Sequence, residues 1–300
     1  MASGHNWHLD PFAALRRAPY RMLDWRERRI IAAGYSVAVF EYGNRAPDAR
    51  TIVLVHGLGH WTQAAWDRLV PLLDPTLRIV AFDLPGFGSS DRPDVRYDTA
   101  FFARFIADAL AQCASAPFVL VGHSLGGYIA AQYAAALPDR VERLVLIAPA
   151  GFLRSVRFIY ALLGSQFARY AFTRRPSRAI VNRMLGAAVL NPSVIEPSIA
   201  ERAYALAGEG AIRRAFAGVY TGAFQDFRKT RALHARLRAY TSPVLLVWGR
   251  HDRFIPIAGM AAAIAVYPHA KALVAENSRH LPMVEEPQLV ADAIAAFLDH

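Results

Sequence analysis

A serine stands between two glycines at Gly122-His123-Ser124-Leu125-Gly126, directly after the apolar run Phe118-Val119-Leu120-Val121. The run reads as a strand, and the following Gly127-Tyr128-Ile129-Ala130-Ala131 reads as a helix. A strand, a tight turn and a helix with serine at the apex form a nucleophile elbow. A side chain at Gly122 or Gly126 would crowd the chain flanking the serine, and glycine takes unusual dihedrals at low cost. The strain leaves the hydroxyl clear of the sheet, where covalent acyl transfer is the chemistry to expect.

A serine hydroxyl is a weak nucleophile until a base takes its proton, and the base needs an orienting group, usually a carboxylate. Val247-Trp248-Gly249-Arg250-His251-Asp252 places Asp252 just past the carboxyl end of a predicted strand. Ala275-Glu276-Asn277-Ser278-Arg279-His280 does the same for His280. In an open parallel sheet such ends line one edge, where ligands bind, so three groups remote in sequence converge there. Asp252 has a duller reading as a helix cap. His280 has rivals: His251 adjoins the acid and would sit beside it, and His269 precedes a strand, at the wrong edge. An oxyanion also needs donors. Val55-His56-Gly57-Leu58-Gly59 follows a strand at the same edge, so the backbone N–H groups of Leu58 and Leu125 are the expected pair. His56 and His123 are expected to make supporting hydrogen bonds, Asp83 to hold a structural turn, and Trp66 to lie in the core.

The elements that position these groups alternate. Strands are predicted at Val37–Tyr42, Thr51–Val55, Arg78–Phe82, Phe118–Val121, Arg143–Ile147, Val244–Trp248 and Ala272–Ala275, with Arg29–Ala33 as a hairpin partner of the first. Helices are predicted at Trp61–Leu73, Tyr97–Ala116, Leu125–Leu137, Ile257–Ala265 and Pro287–Leu298. Fully apolar short strands fit a sheet covered on both faces, and the alternation implies parallel strands with right-handed crossovers. The fold class is therefore α/β, a mostly parallel twisted sheet with helices on both faces. Over residues 151–240 the alternation stops; helices broken near Pro176, Pro192, Pro197 and Gly208–Gly210 replace it. The expected division is an N-terminal arm at 1–28, a core at 29–150 and 241–300, and a helical cap at 151–240.

Composition narrows the class. Three hundred residues, 54% apolar and 19% charged, describe a globular chain with a sizeable core. Its single cysteine, Cys113, excludes an internal disulfide and is expected to be a packed thiol. No signal peptide or spanning stretch is read near the start or elsewhere, so a cytoplasmic protein is expected. The net charge of +10 is uneven: residues 151–240 hold 14 Arg and 1 Lys against 4 acids. No nucleic-acid module is recognisable. The segment Pro11–Arg29 mixes aromatic and aliphatic residues with six arginines. Contact with an anionic membrane surface is its less favoured reading, behind packing on the protein itself.

His56-Gly57-Leu58-Gly59, Asp83-Leu84-Pro85-Gly86-Phe87-Gly88-Ser89-Ser90, Gly122-His123-Ser124-Leu125-Gly126-Gly127, Gly249-Arg250-His251-Asp252 and His280 together resemble the α/β-hydrolase family. The match runs along nearly the whole chain outside the insert, and the order Ser–Asp–His is that family's order. The resemblance implies Ser124 as nucleophile, Asp252 as orienter, His280 as general base and then acid, and a lid over residues 151–240. Haloalkane dehalogenases and epoxide hydrolases of similar fold place aspartate at the elbow, so serine points to an ester-like carbonyl. The insert is rich in aromatic residues, among them Phe158, Phe167, Phe216 and Phe224, which are candidates to line an apolar pocket, so a small, largely apolar substrate is expected.

No metal-ligand cluster or dinucleotide fingerprint accompanies the triad, so no cofactor and no metal are expected. Gly249-Arg250-His251-Asp252-Arg253-Phe254-Ile255-Pro256 is similar to a stretch in carbon–carbon bond hydrolases. The loop after His56-Gly57 and the Leu281 after His280 depart from them, which ranks esterase or lipase-like hydrolysis first. Acyl transfer to an alcohol, or a non-catalytic binding role, would use the same fold and ranks below both. Phe152, Arg154 and Arg157, at the start of the insert, are candidates for substrate binding, the arginines for a substrate carboxylate.

Overall fold

The computed structural model describes residues 23–115, 117–153, 170, 174–227 and 230–299. Strands β1 (Arg26–Ala32) and β2 (Tyr35–Gly43) form an antiparallel hairpin. Its two-residue turn, Ala33-Gly34, has φ of 50° and 85°. Positive φ at both positions matches the right-handed twist of the flanking strands. The remaining strands are β3 (Thr51–Val55), β4 (Arg78–Phe82), β5 (Phe118–His123), β6 (Val141–Ile147), β7 (Val244–Gly249) and β8 (Lys271–Ala275). They form one sheet in the order β1-β2-β4-β3-β5-β6-β7-β8, with β2 antiparallel to β4 and every pair from β4 onward parallel.

Alternate residues of the central strands feed opposite cores, as the period-two geometry of a strand requires. Val53, Val55, Leu120, Leu144 and Leu246 face helices α2 (Thr99–Cys113) and α3 (Leu125–Ala136), where Phe102, Phe105 and Ile129 are buried. Ile52, Leu54, Val119, Val145 and Val247 face α1 (Thr62–Trp66) and the C-terminal helix of Pro287–Leu298, where Trp66, Ile294 and Phe297 are buried. Both faces are therefore dry, which accounts for the absence of polar alternation in β3 and β5.

Between β6 and β7 the described residues form α4 (Arg178–Ala188), α5 (Pro197–Gly208), α6 (Gly210–Thr221), α7 (Ala223–Asp226) and α8 (Thr230–Leu237). This is the helical cap insertion. After β7 come α9 (Ala258–Ile264), α10 (Pro282–Glu285) and α11 (Pro287–Leu298).

Three local expectations change. The helix over Trp61–Leu73 is split into α1 and a 3₁₀ turn at Val70–Leu72, because Pro71 has no N–H to continue the ladder. Helix α2 starts at Thr99, since the Asp98 side chain accepts the Phe101 N–H at 2.9 Å and caps it there. Helix α10, absent from the sequence reading, opens on Pro282 directly after the loop bearing His280. Cys113 is buried, with the Arg28 guanidinium 3.5 Å from its sulfur.

Candidate active site

Strand β4 lies on one side of β3 and β5 on the other, so the chain reverses its winding between β3 and β5. In an open α/β sheet that is where a crevice opens at the carboxyl ends of the strands. The loop after β3 carries His56-Gly57-Leu58, and the turn after β5 carries Ser124.

Ser124 has φ 54° and ψ −117°, outside the regions comfortable for a residue with a side chain. The surrounding structure imposes this conformation. The Ser124 N–H donates to the Ile147 carbonyl at 3.0 Å, and the Ser124 carbonyl accepts from Ala150 N at 2.9 Å and Tyr128 N at 3.1 Å. A Cβ at Gly122 would lie 2.5 Å from the Gly126 carbonyl oxygen, and one at Gly126 would lie 2.2 Å from that of Val55. Backbone cannot yield at either place. Gly126→Ala is therefore expected to yield no folded protein, or to lower the unfolding free energy by about 3 kcal/mol in urea titration. Gly186→Ala is the control: among the described residues nothing outside its own helix backbone lies within 4 Å of an added Cβ and it sits inside α4, so stability should hold or rise.

The three expected groups meet. His280 Nε2 lies 3.0 Å from Ser124 Oγ, and His280 Nδ1 lies 2.7 Å from Asp252 Oδ2. All three residues are buried. Nδ1–H donates to the carboxylate, which leaves Nε2 as the acceptor for the serine proton. Asp252 also fills the cap-like role, because its Oδ1 accepts from Phe254 N at 2.8 Å and Ile255 N at 2.9 Å. One carboxylate thus orders its own loop with one oxygen and the imidazole with the other. His269 hydrogen-bonds the Ser242 carbonyl at 3.0 Å, ahead of β7 and at the far edge of the sheet. His251 is exposed.

Supporting histidines surround the triad. His123 Nε2–H donates to the His280 carbonyl at 2.9 Å, and the two rings lie 4.7 Å apart. His56 accepts the Leu84 N–H at Nε2 (2.9 Å) and donates from Nδ1 to the Gly57 carbonyl (2.8 Å). Burial pushes His56 down and His123 well below the ordinary histidine range, and it lowers His60 to about 3. These three imidazoles therefore stay neutral beside His280, adding no fixed charge to oppose an imidazolium there. Asp83 accepts from Thr62 N and Oγ1 at 2.7 and 2.9 Å, and from Ser89 N at 2.7 Å, which makes it the turn residue expected.

One set of contacts has no counterpart in the sequence reading. The His280 N–H donates to the Ala188 carbonyl at the end of α4, 2.9 Å away. Arg279 donates to the carbonyls of Gly186 (3.0 Å) and Val189 (2.9 Å), and Glu285 accepts from Arg279 N (2.7 Å), Leu190 N and Asn191 N. The loop carrying the histidine is thereby tied to the cap. Residues about 90 positions apart make these bonds, and no local spacing signals them.

Phe152 is buried, with its ring 5.6 Å from that of His234 and 6.1 Å from that of Tyr267. Arg154 and Arg157 lie outside the described residues. A cavity of about 540 Å³ opens between the loop after β3 and the cap, lined by Gly59, His60, Ile180, Met184, Leu206 and Phe216 among others. Among the described residues no group of His, Cys, Asp and Glu could hold a metal ion, and no helix is long and apolar enough to cross a membrane.

The family model described as alpha/beta hydrolase fold matches residues 50–287. The chain is similar to a 2-hydroxymuconate semialdehyde hydrolase of Pseudomonas sp. (strain CF600), 27% identical over 275 residues, covering 90% of this chain and 93% of that one. It is similar to a pimeloyl-[acyl-carrier protein] methyl ester esterase of Aeromonas hydrophila, 27% identical over 266 residues, covering 88% and 99% respectively. Among solved structures it is similar to a bacterial membrane phospholipase A, with a TM-score of 0.71 and 28% identity over 92% of this chain and 86% of that one. With the triad geometry, these findings place the chain in the α/β-hydrolase family, as an enzyme with a Ser124–His280–Asp252 triad of the serine-hydrolase type.

Proposed function

We propose that the protein is an esterase, cleaving an ester of a small, largely apolar substrate through an acyl-enzyme. The single observation that carries this reading is the aligned relay from Asp252 through His280 to the hydroxyl of Ser124. Ser124 Oγ attacks the carbonyl carbon as His280 Nε2 takes its proton. The oxyanion is received by the backbone N–H groups of Leu58 and Leu125. Leu125 opens α3, so its N–H has no acceptor within the helix, and the positive end of the helix dipole favours developing negative charge there. His280 then protonates the leaving alkoxide, and the same nitrogen later activates water to release the acid.

The helical insertion acts as the lid, and its apolar side chains supply the substrate cavity. A relative named as a methyl ester esterase and one named as a 2-hydroxymuconate semialdehyde hydrolase share this level of identity, and the Gly249–Pro256 stretch, similar to one in carbon–carbon bond hydrolases, supports the second reading. The test is turnover of 4-nitrophenyl esters of graded chain length, lactones and vinylogous diketones. The esters should be cleaved fastest, by about 10²-fold or more over the diketones, because the loop after His56-Gly57 and the Leu281 after His280 depart from the carbon–carbon bond hydrolases. Preference for the diketones would reverse the ranking. Turnover of none of them by a protein that still labels at Ser124 would end the esterase reading.

A further inference from the structure

The cavity beside the loop after β3 is apolar along its walls and positively charged at its mouth. Ile180, Val181, Met184 and Leu185 of α4 form one side, and Phe216 of α6 and Gly59 of the loop approach each other on another. Arg174, Arg175 and Arg213 line it as well; Arg174 and Arg175 are exposed, whereas Arg213 donates to the carbonyls of Ala207 (2.9 Å) and Gly208 (2.7 Å). Among the described residues no aspartate or glutamate lines it. Arg178, which opens α4, pairs with Glu201, and Arg92 pairs with Glu209 at 3.4 Å. Arg174 and Arg175 make aromatic contacts instead: Arg174 lies 6.0 Å from the Tyr170 ring centroid and 3.4 Å from its hydroxyl, and Arg175 lies 5.3 Å from the Tyr204 ring centroid. Contacts of this kind orient a guanidinium without neutralising it.

Resting on the esterase reading, we infer that the substrate is an ester whose acyl chain crosses this cavity and ends in an anionic group, carboxylate or phosphate, held by Arg174 and Arg175. The loop after β3 joins the two ends of the site: a Cβ on Gly57 would lie 3.0 Å from Ser124 Cβ, and Gly59 and His60, two and three residues further on, line the cavity. The reacting carbonyl belongs at the Leu58–Gly59 end and the anion at the mouth. The apolar walls between them disfavour a charge held inside the cavity, which penalises a chain too short to bring its anion out to the arginines at the mouth. The cap's excess of cations, 14 Arg and 1 Lys against 4 acids over residues 151–240, adds a long-range field of the same sign.

The test uses the full-length protein and two kinds of probe. The first is a series of 4-nitrophenyl esters of straight-chain acids of increasing length, each ending in carboxylate, phosphate or neutral amide. The second is the matching series of fluorophosphonates, which report occupation of the site through the rate of Ser124 labelling and need no ester turnover. At one chain length, and not at shorter ones, an anionic end should raise kcat/KM and labelling rate by about tenfold over the amide end, mainly through KM. The carboxylate and phosphate arms show which anion fits better. In the Arg174→Gln/Arg175→Gln double variant the anion-to-amide ratio should fall below about threefold, and about 0.5 M salt should lower it in the wild type through screening. A ratio below about twofold at every length in both series overturns the inference, and so does a ratio that survives in the double variant. Anion-selective labelling without turnover of any ester would leave the anion site standing and remove the esterase reading. Ester turnover with no selectivity would do the reverse.

Discussion

Ser124→Ala should lower turnover of a short-chain nitrophenyl ester by about 10⁶-fold, which corresponds to about 8 kcal/mol of lost transition-state stabilisation. The hydroxyl has no substitute. His123 is turned towards the His280 carbonyl, and the Thr62 hydroxyl is bound to Asp83. Burst release of nitrophenol and labelling by a fluorophosphonate should both disappear. The fold should survive, since the conformation at residue 124 is held by backbone bonds to Ile147, Ala150 and Tyr128 that alanine can also make. Undiminished labelling of a folded variant would remove Ser124 from the mechanism. The residual rate should exceed that of water if the proposed oxyanion donors, the N–H groups of Leu58 and Leu125, act as assigned.

The second large effect belongs to Asp252→Asn, for which a fall in kcat of about 10⁴-fold is expected. An asparagine amide can donate to Nδ1 of His280, which moves the imidazole proton to Nε2, where it faces Ser124 and cannot accept the hydroxyl proton. The amide also lacks the charge that stabilises the imidazolium. Its Oδ1 can still accept from Phe254 N and Ile255 N, so the loop should stay ordered and the melting temperature should move little. The steady-state rate separates the readings. A loss below about tenfold would mean that another carboxylate orients His280, and a large fall in stability would mean that the loop bonds were the residue's main role.

Much of this site was legible from local chemistry. The glycine frame of Ser124 is forced by contacts of less than 3 Å between positions four residues apart and the neighbouring loop, so it leaves a mark in the sequence. The parallel sheet is legible because both of its faces are dry, which makes β3 and β5 wholly apolar. Asp252 and His280 are legible because each follows a strand, and parallel strands deliver their carboxyl ends to one edge. Asp98 and Pro71 are local signals too, and they set boundaries more sharply than the apolar periodicity does.

What the order of residues could not supply is any contact that depends on how the cap sits over the core. The bonds from Arg279 and His280 to the end of α4 join segments about 90 residues apart. An arginine that donates to carbonyls across that distance has the same local sequence as one pointing into water. Phe152, an aromatic at the start of the insert, has the same local sequence wherever its ring points; packing alone sets it beside His234 and Tyr267. The same holds for Arg174 and Arg175, ordinary members of a basic segment until the fold sets them at the mouth of an apolar cavity. The chemistry of the triad was thus written in short-range patterns, because turns and strand ends are short-range structures. Selectivity was left to tertiary structure, because a cavity is defined by surfaces that meet only when the chain has closed.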